Sequence, residues 1–283
     1  MEPSIYQIIW NHWHPHPEVV IGLTLVQCFY MFMVSRYNRY ANDGQQVAVI
    51  QMMAFTLGII IIAICLLSPL HYISDNYLFS AHMLQHVLLT LLAPPLIIYG
   101  IPDSAITKSL GIPFLSNIMR FLTHPLVAFI SFNLTFSIWH MPQLYHYSVS
   151  FHWIHVVEHL MFIFTAILMW WPIASRSHLL PKLSYPLRII YLFFLSIAQI
   201  IVFGMITFSN APLYDWYINA PRVFGISAML DQQLGGIIMK VGGGGVFLTL
   251  LVIIFLKWYR DEQNTGVDYS MNERDVFKYN KDK

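Results

Sequence analysis

Two pairs of histidines stand four residues apart in stretches that are otherwise apolar. His82 and His86 lie in SAHMLQHVLL, and His155 and His159 lie in HWIHVVEH. On a helix this spacing puts both imidazoles of a pair on one face, one turn apart, where they can chelate one ion. Neutral imidazole is a common ligand of copper, zinc and iron. Because ionisable groups at membrane depth mark functional sites, the two pairs predict a metal centre.

Further side chains extend this candidate site. Histidines in SPLHY and WHMP fall at the same expected depth, so we expect one ligand cluster formed by His71, His82, His86, His140, His155 and His159. Glu158, Asp231 and Gln232 could orient the imidazoles or bind the ion themselves. Met83 and Met141 add soft thioethers, which would favour Cu(I) over a hard ion. Each histidine taken singly also has an ordinary interpretation as a hydrogen-bonded packing residue.

The composition indicates the elements that must hold these side chains. The chain has 283 residues, of which 57% are hydrophobic and only 10% charged, and its mean hydropathy is +0.58. Soluble domains carry roughly 25% charged residues, so we expect an all-α, polytopic membrane protein. Seven segments are apolar enough to span a bilayer, near 18–36, 47–69, 78–99, 125–140, 152–173, 187–209 and 233–257. The fourth is the shortest and is expected to extend at one end.

Basic residues give this seven-helix bundle an orientation. One side holds nearly all of them, namely Arg36, Arg39, Lys108, Arg120, Arg176, Lys182, Arg188 and those of the C-terminal tail, whereas the loops of the opposite side hold only Arg222. Basic loops face the cytoplasm. We therefore expect an outer N-terminal segment (1–17), a membrane domain (18–258) and a disordered cytoplasmic tail (259–283). Eleven of the thirteen histidines then fall on the outer half.

Several features remain outside the ligand cluster. Pro94-Pro95 should kink or end the third span. Cys28 and Cys65 stand alone in apolar runs and are expected to be packing residues. The polar segment with His12, His14 and His16 could capture metal loosely at the surface, or serve as an interfacial aromatic anchor with its tryptophans. Lys240, within the seventh span, has no predicted role.

An ordered series of motifs resembles a known family. SPLHY, SAHMLQHVLL with APPL, IWHMPQLY, the HxxEH of the fifth span with WWP, and LDQQLGG follow one another from about residue 66 to 240. The series resembles the cytochrome c oxidase assembly factor CtaG family of Gram-positive bacteria. The resemblance implies a role in maturation of a haem–copper oxidase and in copper delivery. Its characteristic positions correspond to His71, His82, His86, His140, His155, His159, Asp231 and Gln232.

We therefore expect a multi-pass protein of the bacterial plasma membrane that binds copper ions and acts on cytochrome c oxidase subunits, with no enzymatic activity of its own and no nucleic-acid partner. Three alternatives remain open. The first is a haem protein, since histidines on facing helices also suit axial haem ligation. The second is a copper or zinc transporter, which would need polar groups through the whole membrane depth. The third is a structural partner of an oxidase subunit, which would tolerate replacement of its histidines. The metal, its oxidation state, the client subunit and the oligomeric state stay undetermined by the sequence.

Overall fold

A computed structural model of the chain describes residues 16–40, 46–222 and 224–281, with side chains as far as residue 264. Every regular element in these ranges is helical, which confirms the all-α prediction. In chain order the helices are α1 (Pro17–Tyr40), α2 (Val49–Leu67), α3 (Pro69–Asn76), α4 (Phe79–Val87), α5 (Ala93–Gly100), α6 (Asp103–Leu110), α7 (Pro113–Leu122), α8 (Pro125–Trp139), α9 (Pro142–Ser150), α10 (His152–Ala174), α11 (Tyr185–Ala198), α12 (Ile200–Phe208), α13 (Asp215–Ile218) and α14 (Ala228–Lys281).

The membrane-spanning character of the chain is confirmed. Six helical stretches are long and apolar enough to cross a bilayer: Pro17–Tyr40, Val49–Leu67, Phe79–Gly100, His152–Ala174, Tyr185–Phe208 and Ala228–Asn264. Each corresponds to one of the predicted spans. The protein is therefore a multi-pass membrane protein, and the direction in which it crosses the membrane stays a prediction from its basic residues.

The fourth predicted span differs from a simple helix. Its helix, α8, covers only 15 residues, and it follows α7 at an angle of 66°. Pro125 stands at the start of α8, where a missing N–H and a fixed φ suit the first turn. The pair α7–α8 gives the seventh span if both helices count as one bent span.

The third span contains a π-helical turn where the prolines predict a distortion. The turn covers Leu88–Leu92 and joins α4 to α5. Because Pro94 has no N–H, the carbonyl oxygen of Thr90 loses its regular helical donor. The indole N–H of Trp170 donates to that oxygen instead, at 2.8 Å. The span is thus distorted rather than ended, and a buried tryptophan from α10 replaces the missing bond.

Two spans form the centre of the bundle. In both Phe79–Gly100 and His152–Ala174, 61% of the membrane-spanning window is buried, against 11–39% for the other spans. Helix α4 packs against α3 and α14, while α5 packs against α2 and α10. Both predicted histidine pairs therefore lie on the central helices, on turns that other helices enclose.

The last helix extends beyond the predicted membrane domain. Helix α14 continues to Lys281, through the segment for which the sequence predicts a disordered tail. That segment lacks proline, and adding residues to an existing helix avoids the unfavourable nucleation step. Lys240, in the first quarter of α14, donates a hydrogen bond to the Ser196 carbonyl of α11 at 3.2 Å, so it lies away from the histidines.

Candidate metal centre

The helix that carries the first histidine pair is fixed by an aspartate from the far end of the chain. The carboxylate of Asp231 on α14 accepts hydrogen bonds from the backbone N–H groups of Phe79 and Ser80, at 2.7 and 3.1 Å, and from the Ser80 hydroxyl at 2.5 Å. These N–H groups belong to the first turn of α4, which has no partner for them within the helix. Gly235, one turn further along α14, allows the helices to approach, since a Cβ there would lie 2.5 Å from the Phe79 ring.

The two histidine pairs form one buried cluster. The Nε2 atoms of His82 and His86 are 2.6 Å apart, so both point at the same place between the rings. The ring of His86 lies 5.7 Å from that of His159, and the ring of His82 lies 5.9 Å from that of His155. All four residues are at most 8% exposed. The prediction that each pair lies on one face of its helix agrees with this arrangement, which also brings the two pairs together.

His71 and His140 border the cluster on different sides. The ring of His71, on α3, lies 5.5 Å from that of His155 and 5.9 Å from that of His159. The ring of His140, just after α8, lies 5.9 Å from that of His86. The Nδ1 of His140 is 2.7 Å from the Phe136 carbonyl oxygen. Because a carbonyl only accepts, Nδ1 is the protonated nitrogen, and the lone pair of His140 is on Nε2.

Two carboxylates lie among these imidazoles. Glu158 Oε1 is 3.6 Å from His86 Nε2 and 4.0 Å from His82 Nε2, and its side chain is 1% exposed. Asp75 was missed by the sequence reasoning, yet its two oxygens lie 3.5 Å from His155 Nδ1, 3.6 Å from His71 Nε2 and 3.9 Å from His82 Nδ1. Glu158 thus lies beside the His82–His86 pair, and Asp75 lies beside His71 and His155.

Asp75 is held in place through its neighbours. The backbone carbonyl of Asp75 accepts a hydrogen bond from the Trp216 indole at 2.7 Å, and that of Ser74 accepts one from the Tyr217 hydroxyl at 2.6 Å. The Ser74 hydroxyl bonds to Gln85 of α4 at 2.7 Å. Burial raises the pKa of the Asp75 carboxyl, and the neighbouring His155 opposes that rise. Because a buried carboxylate needs a compensating cation, Asp75, which is partly buried at 24% exposure, would gain from a positive charge in the cluster.

The cluster contains buried polar atoms without hydrogen-bond partners. They are His82 Nδ1, His86 Nδ1, His140 Nε2, His155 Nε2, Glu158 Oε2 and both ring nitrogens of His159. Leaving a buried donor or acceptor unpaired costs roughly 1–3 kcal/mol per group. One nitrogen of each neutral imidazole carries a lone pair, so several unpaired lone pairs lie in one place, and this fits a bound cation because a metal ion satisfies several of them at once. Rings from the two facing helices pack on one another, with the centroids of His86 and His159 5.7 Å apart, which favours a small ion over a flat macrocycle between them.

The other predicted site residues lie elsewhere or play other parts. Asp231 binds backbone amides, as described above, and Gln232 bonds to the Leu213 amide and the Ile206 carbonyl, at 2.6 and 2.9 Å. Both residues thus hold the surrounding backbone. Met83 is buried against Gly235, whereas Met141 is 43% exposed. The described donors that converge are therefore nitrogen and oxygen atoms, without a thioether among them.

Comparison with known proteins agrees with these observations. The fold and the cluster define a polytopic membrane protein with a buried histidine–carboxylate centre. The family model of the cytochrome c oxidase caa3 assembly factor matches residues 28–261. This chain belongs to that family, and the resemblance inferred from the motifs is confirmed.

The curated relatives share 24% sequence identity with the chain over the matched residues. The chain is 24% identical over 208 residues to the uncharacterized protein ML1998 of Mycobacterium leprae (strain TN), covering 67% of this chain and 31% of that protein. It is 24% identical over 226 residues to the uncharacterized protein Mb0105 of Mycobacterium bovis, covering 71% of this chain and 34% of that protein. The chain thus spans about a third of the length of these relatives. No solved structure matches the chain.

Proposed function

We propose that this protein assists assembly of a haem–copper cytochrome c oxidase by binding a copper ion, as cargo, in the histidine–carboxylate cluster and helping to metallate the oxidase. Family membership supports the link to the oxidase. The observation that supports copper binding is the convergence of buried imidazole nitrogens that have no hydrogen-bond partner, beside the carboxylate of Glu158.

Charge balance supports a cation at this place. Glu158, whose side chain is 1% exposed, and Asp75, whose side chain is 24% exposed, contribute two carboxylates to the cluster of imidazoles, and a carboxylate taken out of water without a cation is destabilising. A cation bound beside either carboxylate would offset that cost. His82, His86 and Glu158 form one group of donor atoms within 4.8 Å of one another, and Asp75, His82 and His155 form another, so His82 could serve either.

The donor set favours cupric over cuprous copper. Imidazole and carboxylate suit Cu(II), whereas Cu(I) prefers the thiolate and thioether sulfurs, and the described cluster contains neither. Among divalent first-row ions, Cu(II) also binds nitrogen and oxygen sites most tightly. The thiol of Cys65 is fully buried in a separate apolar cluster, so delivery through that thiol finds no support in its surroundings.

The test is copper content of the purified protein. The proteins to compare are wild type, the double variant His82→Gln/His86→Gln and Glu158→Gln. Each would be purified in detergent, loaded with Cu(II) and freed of excess metal. Its copper would then be measured by mass spectrometry and by electron paramagnetic resonance. Glutamine keeps polarity while removing the imidazole ligands. His124→Ala is the matched control, because His124 is exposed and outside the cluster. The melting temperature of each variant checks that it folds.

We expect about one cupric ion per chain in wild type and in the His124 variant, with nitrogen hyperfine structure, and loss of that ion in the double variant. Oxidase activity in cells that carry the double variant should fall with it. Equal copper content in wild type and the double variant would overturn the proposal. A Soret band that disappears in the double variant would replace copper with haem.

A further inference from the structure

A second group of metal-type ligands lies at the edge of the bundle, outside the cluster described above. His16 Nδ1 and His152 Nε2 lie 3.2 and 3.3 Å from the same oxygen, Oε1 of Glu18. The two imidazole rings are nearly parallel, with centroids 5.7 Å apart. The three side chains offer two nitrogens and one oxygen within 4.8 Å of one another. We call this group the outer triad.

The outer triad is formed by two helix beginnings that meet in space. His16 and Glu18 flank Pro17 at the start of α1, and His152 is the first residue of α10. The side chains of His16, Glu18 and His152 are 28%, 35% and 52% exposed. Unlike the buried cluster, the outer triad is therefore open to ions from solvent. His12 and His14, with which the sequence groups His16, lie outside the described residues.

A continuous series of ligand side chains connects the outer triad with the buried cluster. The ring of His16 lies 5.2 Å from that of His71, which lies 5.5 Å from that of His155. Asp75 contacts both His71 and His155, at 3.6 and 3.5 Å. A cavity of about 260 Å³ is lined by His16, His71 and Asp75 among other residues. Solvent-exposed and buried ligands are thus joined by short steps.

We propose that the outer triad is a second metal site, which captures a copper ion and passes it by way of His71 and Asp75 to the buried cluster. This inference rests on the proposed function. At each step the ion exchanges one nitrogen or oxygen ligand for the next, with no change in its oxidation state. No bond other than a coordinate bond forms or breaks.

The direction of transfer follows from exposure and charge. The outer triad offers few donors, and water competes for them, so a cation there exchanges readily. Further in, the cation meets Asp75 and then Glu158, in surroundings where charges attract more strongly than in water. The ion should therefore be held weakly at the surface and tightly inside. An ordinary surface hydrogen-bond group would explain the contacts to Glu18, but it would not require the series of imidazoles that continues inward.

The experiment measures capture of copper at the outer triad separately from binding of copper in the buried cluster. Cu(II) would be added to metal-free, full-length protein in detergent, with stopped-flow absorbance following the loading of the buried cluster and equilibrium titration giving the number of sites. The variants are His16→Ala/His152→Ala and Glu18→Gln. His146→Ala is the control, because His146 is another exposed histidine near α10 and is not in the outer triad.

We expect wild type and the His146 variant to bind one tight and one weak copper ion. The His16/His152 variant should lose the weak ion, keep the tight one and load it about tenfold or more slowly, since local concentration of an ion raises capture rates by 10–10³. Glu18→Gln should show the same change to a smaller degree, because it retains both imidazoles.

The outcomes distinguish this inference from the proposed function. Unchanged loading rate and stoichiometry in the His16/His152 variant would overturn the outer site while leaving the buried centre standing. Loss of the tight ion together with the weak one would also overturn it, since the triad would then be part of a single site. Retention of the tight ion in the His82/His86 variant would instead overturn the proposed function.

Discussion

Replacing Asp231 by alanine should destabilise the protein strongly, although Asp231 contacts no histidine in the cluster. Its carboxylate accepts hydrogen bonds from the backbone N–H groups of Phe79 and Ser80 and from the Ser80 hydroxyl, and its side chain is fully buried. Alanine would leave two buried N–H donors without an acceptor, each costing roughly 1–3 kcal/mol. It would also remove a negative charge from a helix N-terminus, which contributes about 0.3–1 kcal/mol. We therefore expect a loss of about 2–7 kcal/mol in the free energy of unfolding.

Two further variants sharpen this prediction. Asp231→Asn keeps one acceptor oxygen but turns an N–H group toward the Phe79 amide, so we expect about half the loss of the alanine variant. Asp215→Ala is the control, because Asp215 is an exposed aspartate in the first turn of α13, and such surface substitutions change stability by about 0.5 kcal/mol or less.

The assay is unfolding in mixed micelles titrated with sodium dodecyl sulfate, supported by size-exclusion chromatography after heating. Copper content, measured on the folded fraction alone, should stay at the wild-type level in Asp231→Asn, because the aspartate positions the helix and does not bind the ion. Stability of Asp231→Ala equal to that of Asp215→Ala would refute the assignment of Asp231 as the acceptor that holds the first turn of α4.

Three other predictions concern packing and metal linkage. Gly100→Ala should destabilise the protein by about 1–3 kcal/mol, because a Cβ there would lie 2.5 Å from Phe55 Cβ. The control is Gly204→Ala, where nothing lies within 4 Å of the added Cβ, and it should leave the melting temperature nearly unchanged. Trp170→Phe should cost about 1–3 kcal/mol by leaving the Thr90 carbonyl without its indole donor, and equal melting temperatures would contradict this. Copper at a hundred times its Kd should stabilise wild type by about 2.7 kcal/mol and leave the His82→Gln/His86→Gln variant unchanged in the same unfolding titration.

The sequence predicted the spans and the histidine pairs well because both signals are local. Long apolar windows identify helices without reference to neighbours, and a spacing of four residues is enough to place His155 and His159 on one helical face. The bend between α7 and α8 was not predicted beyond an extension at one end, since two short helices separated by a break leave only a weak hydropathy signal.

Residues that depend on tertiary contacts were harder to predict. Asp75 lies in a short helix between two spans, and only the folding of α3 over α4 and α10 brings it to His82 and His155. Asp231 was predicted to orient the imidazoles or to bind the ion, but its partner is the backbone of another helix, which no spacing in the sequence reveals. His152 and Glu18 are 134 positions apart in the chain, so their common oxygen contact could not be read from either segment.

The π-helical turn at Leu88–Leu92 sets how the two halves of the third span are rotated relative to one another. A regular helix advances by about 100° per residue, and a turn with one additional residue rotates everything beyond it by about that angle. Helix α4, which precedes the turn, thereby presents His82 and His86 to the cluster, while α5, which follows it, presents Ala93 and Ile97 to the apolar core around α2. The number of residues in the turn therefore sets the direction in which His82 and His86 point relative to the face of α5 that packs on α2. Deleting a single leucine from the turn would keep the composition of the span but turn one half away from its partners.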